Sequence, residues 1–182
     1  MQSFEPSLDA YRRITGLRVV RMYRPDPIED AQVDMILEAG RWTGSSKNTQ
    51  PWAFVVITDP EERERLAECG SFTTPLLGAP LVVVIVRIPG GGDFDMGRAA
   101  QNMMEAAAAL GIGSCPVTLH REPCARERLG VPDDHGCRWA IAFGYPDLER
   151  EQQIRGGIRA TLPQGRKPLA DLVHYGRFGS PG

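Results

Sequence analysis

Gly44-Ser45-Ser46-Lys47-Asn48-Thr49-Gln50-Pro51-Trp52 is the stretch on which the reading of this chain turns. It joins the end of an amphipathic helical pattern to an apolar strand pattern, Ala53 to Thr58. A plain connector needs only a few turn residues. This one carries small hydroxyls, two amides, a lone lysine and a closing Pro-Trp. Such a surface suits a polar, flat partner.

Working outward, the elements on either side read as a mixed fold. A first short helix covers Ser7 to Ile14 and is broken by Gly16, after which Leu17 to Arg24 reads as an extended connector. Beyond Pro25 and Pro27 a second helix begins with Glu29 and Asp30, acids suited to the positive end of a helix dipole. Val33, Ile36, Leu37 and Gly40 mark its buried face. After the Ala53–Thr58 strand, Asp59-Pro60 starts a third helix, Glu61 to Glu68. Leu81 to Val86 is a continuous, largely β-branched run, the pattern of a strand buried on both faces. The longest helix, Met96 to Leu110, repeats Met and Ala at helical spacing and ends at Gly111. Ser114 to Leu119 and Trp139 to Phe143 read as strands, with a short helix, Arg121 to Leu129, between them. Asp147 to Gly165 reads as a polar loop, and Pro168 to Val173 as a terminal helical turn. The alternation lacks strict βαβ regularity, which favours an α+β layer fold. The 182 residues suggest one domain, 1–182.

Composition narrows the partners. A net charge of −2 gives no general attraction to nucleic acid or to a membrane surface. No apolar run approaches the roughly 20 residues of a membrane span, and no signal-peptide pattern opens the chain. Cys69, Cys115, Cys124 and Cys137 have neither zinc nor redox-motif spacing, so the expectation is reduced thiols in the cytoplasm.

Self-contained catalytic machinery is not visible. Gly111-Ile112-Gly113 follows a helix and precedes a strand, the reverse of a dinucleotide loop. Ser45 and Ser46 lie in no nucleophile elbow, and His120, His135 and His174 have no telling neighbours. No metal-ligand cluster has useful spacing. No catalytic side chain is therefore assigned, and a cofactor is expected to carry the chemistry of any enzyme here. Two basic clusters could meet a phosphate: Arg18 and Arg21 with Arg24 nearby, and Arg166 with Lys167.

At this point the ordered motifs resemble the nitroreductase family. Leu17-Arg18-Val19-Val20-Arg21-Met22-Tyr23 followed by Pro25-Asp26-Pro27-Ile28 looks like that family's opening, and Gly44 to Trp52 is similar to its Pro-Ser-x-x-Asn-x-Gln-Pro-Trp segment. Asp95-Met96-Gly97 with Gln101-Asn102, Gly111-Ile112-Gly113-Ser114, Phe143-Gly144-Tyr145-Pro146 and Arg166-Lys167-Pro168-Leu169 resemble later blocks in the same order. Leu17 and Val19 stand where many members carry arginine and serine, and Gly44 replaces a common proline.

The resemblance implies a layered fold with a central, mainly antiparallel sheet flanked by helices. It also implies an intimate homodimer with FMN at the subunit interface. Arg18, Val19 and Arg21 would meet the phosphate and ribityl end, with Arg166 and Lys167 completing the clamp. Ser45, Ser46, Asn48 and Gln50 would reach flavin across the dimer. Cys115, Pro116, Val117 and Thr118 would lie along its ring. The implied reaction is ping-pong hydride transfer from NADH or NADPH, through flavin, to a small acceptor such as a nitroaromatic or quinone. Specialised flavin chemistry (dehalogenation, flavin cleavage, azoline oxidation) and non-enzymatic flavin sequestration remain alternatives.

Overall fold

The computed structural model describes residues 5–159 and 165–180. The chain divides into two compact units, Met1–Glu151 and Gln152–Gly182. The first contains a four-stranded, wholly antiparallel sheet of order β1-β2-β4-β3, built from β1 (Trp52–Ile57), β2 (Leu81–Arg87), β3 (Gly113–Thr118) and β4 (Gly136–Gly144). The α+β expectation with an antiparallel sheet is met.

β2 explains why the sheet is sandwiched. Six of its seven residues, Leu81 to Val86, are buried. Side chains alternate across a strand, and here both sides are apolar. Val82 and Val84 enter one core with Cys115, Val117, Ala140 and Ala142. Leu81, Val83 and Ile85 enter the other with Ile141 and Phe143. Helices α3 (Pro60–Ala67), α4 (Thr74–Gly78) and α6 (Glu122–Leu129) contribute to the first core; α2 (Asp30–Arg41) and α5 (Asp93–Ala109) close the second.

The helices form for local reasons that the sequence carries. Asp59 caps α3, its Oδ1 accepting from the Glu61 and Glu62 N–H groups at 2.8 and 3.1 Å, with Pro60 at the first helical position. Gly130 ends α6 in the left-handed region. On α5, Met96, Ala99, Met103 and Ala107 are fully buried, which makes the Met-rich face a packing face. α2 meets it closely at Gly40, where an added Cβ would come within 3.0 Å of Met103 and of Phe54. α1 (Leu8–Gly16) is capped by Ser7, whose Oγ accepts from Ala10 N–H at 3.2 Å. It leaves Leu8, Tyr11 and Ile14 exposed.

Two readings are corrected. Asp147 to Gly165 is not wholly loop, because α7 (Leu148–Arg159) occupies much of it. Asp147 Oδ1 accepts from Arg150 N–H at 3.1 Å, and Glu149 and Glu151 occupy the first turn. The polar composition hid a helix start that the acids favour. The thiols are also not all free. Cys69, after α3, and Cys124, in α6, form a disulfide with a Cα–Cα distance of 5.6 Å. Fifty-five positions separate them, so close spacing could not reveal the pair. Cys115 and Cys137 are free and buried.

In the second unit, a 3-10 turn at Leu169–Asp171 follows Pro168, matching the terminal helical turn read from the sequence. No helix among the described residues is long and apolar enough to cross a membrane.

Candidate functional site

The Gly44–Trp52 segment is a strained, polar loop. A short 3-10 turn covers Ser46–Asn48, and Lys47, Asn48 and Gln50 have φ of 51°, 54° and 47°. The left-handed region costs an L-residue roughly 1–2 kcal/mol, although asparagine tolerates it better. Three such residues within four positions therefore need compensation, and strain of this kind concentrates at functional sites. Compensation comes partly from within the loop: Ser45 Oγ accepts from Gln50 N–H at 2.8 Å, and Asn48 N–H donates to the Ser45 carbonyl at 3.1 Å.

More comes from α5. Arg98 Nη1 donates to the Gly44 carbonyl at 2.5 Å, and Asn102 Nδ2 donates to Thr43 Oγ1 at 2.8 Å. With its backbone anchored, the loop leaves Ser46, Lys47, Asn48 and Gln50 exposed, with Ser45 half-buried. Arg98 and Asn102 are the residues that sequence reasoning did not assign to the site. Their spacing of one helical turn was the available signal.

Arg18 and Val19 sit along the middle and C-terminal half of α5, beside Gln101, Met104, Glu105 and Ala108. A cavity of about 470 Å³ is lined by Arg13, Arg18, Glu105, Ala108 and Ser114, among others. A smaller one beside it is lined by Arg18, Val19, Gln101, Met104 and Ser114. Two guanidinium groups against one carboxylate make the larger cavity net positive. Arg18 is exposed and turns back on its own chain, Nη1 donating to the Thr15 and Leu17 carbonyls at 2.9 and 2.8 Å. The exposed loop and the Arg18 cavities share a supporting helix, and among the described residues Ser45, Ser46, Asn48 and Gln50 line neither cavity.

The connector carrying Arg18 and Arg21 is held in place firmly. Val20 N–H donates to the Ser114 carbonyl at 2.9 Å. Gly113 allows this approach, because a Cβ there would sit 2.8 Å from the Val20 side chain. The buried Glu151 carboxylate accepts from Arg21 N–H at 2.8 Å and from Met22 N–H at 3.0 Å. Tyr23 is buried too, its hydroxyl 2.5 Å from the Val20 carbonyl and 3.2 Å from that of Ala142. Burial pushes its pKa far above the ordinary range, so the phenol stays neutral. Glu151 was not foreseen, since its helix was read as loop.

β3 continues from Ser114 with alternating exposure. Cys115 and Val117 turn into the core, Pro116 is exposed and Thr118 is half-buried. Proline suits this edge strand, which pairs only with β4 among the described strands. Burial raises the Cys115 thiol to about 11, the value of a packing residue rather than a nucleophile. Arg166 and Lys167 belong to the second unit, where both are exposed in the stretch before the 3-10 turn.

An antiparallel sheet between two helical layers, with a strained polar loop clipped to its longest helix, defines a particular class of α+β protein. The nitroreductase family model matches residues 14–70 and 74–145. The chain belongs to the nitroreductase family. It is 35% identical to an NADH dehydrogenase of Thermus thermophilus, covering 95% of this chain and 98% of that protein. It is 30% identical to a putative NADH dehydrogenase/NAD(P)H nitroreductase of Archaeoglobus fulgidus, covering 79% and 88%. Among solved structures, an FMN-dependent nitroreductase from Clostridium difficile R20291 superposes with a TM-score of 0.77 at 26% identity, covering 92% and 99%.

Proposed function

We propose that this chain is an FMN-dependent oxidoreductase that takes hydride from NADH or NADPH and delivers it to a small acceptor such as a nitroaromatic or quinone. The observation that carries the reading is the Ser45–Gln50 loop: three left-handed residues, exposed polar side chains and two anchors from α5. A connector would not need that strain. Family membership and the relatives' names support the same chemistry.

The residues present fit the group. The cavity beside Arg18 carries net positive charge, as a phosphate requires. Arg18, Val19 and Arg21 would hold the phosphate and ribityl end, and the sequence resemblance assigns Arg166 and Lys167 to the same phosphate. Ser45, Ser46, Asn48 and Gln50 would hydrogen-bond the ring system. Cys115 to Thr118 would offer backbone rather than thiol chemistry, since Cys115 and Val117 are buried. When bound, FMN supplies the ring that accepts and passes on hydride. The chain's own part is to anchor the phosphate, orient the ring through the loop and leave room for a flat partner to stack. No side chain is assigned an acid or base role. On this reading residues 1–182 act as one FMN-binding domain.

That the loop residues line neither Arg18 cavity supports a homodimer, in which each loop serves the other subunit's flavin. Exposed Leu8, Tyr11 and Ile14 on α1, Trp42 after α2 and Phe94 on α5 supply apolar surface for such an interface. We place the protein in the cytoplasm, where reduced nicotinamides are held; the Cys69–Cys124 bridge is unusual there.

Purified protein incubated with FMN should retain a visible flavin band that bleaches anaerobically with NADH or NADPH. Failure to bind FMN rejects the reading. Retained flavin that neither nicotinamide reduces favours sequestration instead.

A further inference from the structure

A third cavity, of about 490 Å³, opens where the start of α2, the end of β1 and the start of β2 meet α3. It shares no lining residue with the Arg18 cavities. Its size lies within the range of small-molecule pockets, about 300–1,000 Å³. Ile28, Val33, Val56 and Leu81 give it an apolar body. Its one cation is Arg63, which is only 9% exposed.

Among the described residues, Arg63 has no counterion in contact. Its Nε is buried without a hydrogen-bond partner. Burial lowers its pKa, while Asp59 and Glu64 act on it in the opposite sense from outside contact range. A buried charge normally has a hydrogen-bonded partner, because water is no longer there to solvate it. A guanidinium whose Nε is buried without a partner, on the wall of a cavity with an apolar body, is therefore half of an interaction.

We propose that this cavity binds a small monocarboxylate with an apolar body, its carboxylate paired with Arg63. The planar guanidinium matches a carboxylate fork, and the aliphatic walls take the body. Asp30 also lines the cavity, so one carboxylate stands against the one guanidinium there; with Asp59 and Glu64 also acting on Arg63, a second negative charge on the ligand is disfavoured. This selects a monoanion over a phosphate dianion. A neutral ligand would leave the guanidinium unmatched.

Calorimetric titration of the full chain with benzoate tests this, with benzamide and inorganic phosphate as controls. Benzoate should saturate one site, and both controls should bind at least tenfold more weakly. Arg63→Met keeps the bulk, removes the charge and should weaken benzoate at least tenfold. Replacing an unpaired buried charge by an apolar side chain is not expected to unfold the protein. Val33→Trp fills the cavity with Arg63 intact and should abolish binding. FMN added to the same samples separates this cavity from the flavin site, because benzoate held by Arg63 should leave the flavin band unmoved. Absence of a benzoate signal overturns the proposal. So does equal affinity in Arg63→Met or Val33→Trp, or a signal that shifts the flavin band and survives both substitutions.

Discussion

Reducing the Cys69–Cys124 bridge should lower the melting temperature substantially. The bridge spans 55 positions, tying the chain just after α3 to α6. Closing a loop of that length removes unfolded-state entropy worth about 4 kcal/mol at 25 °C, and natural bridges typically deliver about 2–4. The native state already holds these segments together by other means. Arg121 N–H donates to the Cys69 carbonyl at 2.8 Å, and Arg128 pairs with Glu68 at 2.6 Å. Cutting the bridge should therefore leave the fold intact and act mainly by freeing the unfolded chain. At about 2–4 °C per kcal/mol for a domain of this size, the expected drop is about 5–15 °C. Circular-dichroism melts with and without a non-thiol reductant measure it, and the Cys69→Ser/Cys124→Ser double variant should melt low and be indifferent to reductant. A thiol count in denaturant without reductant should find two groups, Cys115 and Cys137, out of the chain's four cysteines. Four reactive thiols, or a melting temperature that ignores the reductant, would refute the reasoning.

The remaining predictions concern smaller perturbations. Cys115 and Cys137, each raised by burial to about 11, should have only about one thiolate in a thousand at pH 8; rapid alkylation of native protein at that pH contradicts their assigned burial. The Glu38 carboxylate is held near 2 by its hydrogen bond from Arg41, helped by Trp42 Nε1 at 2.6 Å. Its folded-state pKa lies below its ordinary 4.5, so its contribution is present above the unfolded value and fades as pH falls through about 2. A carboxyl NMR titration should find that low midpoint, and an ordinary midpoint rejects the pairing. Arg98→Ala should loosen the 44–50 loop without melting the core. Because the Arg98 contact is exposed, its loss is worth about 1 kcal/mol, roughly a fivefold fall in FMN affinity under the proposed function; unchanged affinity would mean the anchor does not orient the loop. Met103→Ala, at a fully buried position under α2, should cost about 2–5 kcal/mol in urea unfolding, and a loss well under 1 kcal/mol would contradict that packing.

Much of this architecture was readable because its strongest signals are local. The apolar run of β2 and the Met/Ala period of α5 each fix an element, its face and its neighbours within a single window. The ordered motifs then carried the family. What escaped reading was held by distant partners. α7 has weak apolar periodicity and a Gly156-Gly157 pair, yet its buried Glu151 meets backbone N–H groups 130 and 129 positions away. Cys69 and Cys124 are joined only once α3 and α6 lie on the same sheet face. The loop was conspicuous as composition, but its left-handed backbone and its anchors on Arg98 and Asn102 exist only in three dimensions.

The two-faced burial of β2 carries a consequence for how the sheet finds its alignment. Where one side of a strand is wet, a slip by one residue exposes oil and hides charge, so the error corrects itself. β2 has no wet side over Leu81 to Val86, and hydropathy alone hardly distinguishes the correct alignment from a one-step slip. Volume has to do so. One face meets small Ala140, Ala142 and Cys115; the other meets Met96, Met103, Ile141 and Phe143. A slipped strand would press the wrong bulk against each wall, overfilling one layer and hollowing the other. In this sheet the proofreading of strand alignment falls to shape rather than to solvent.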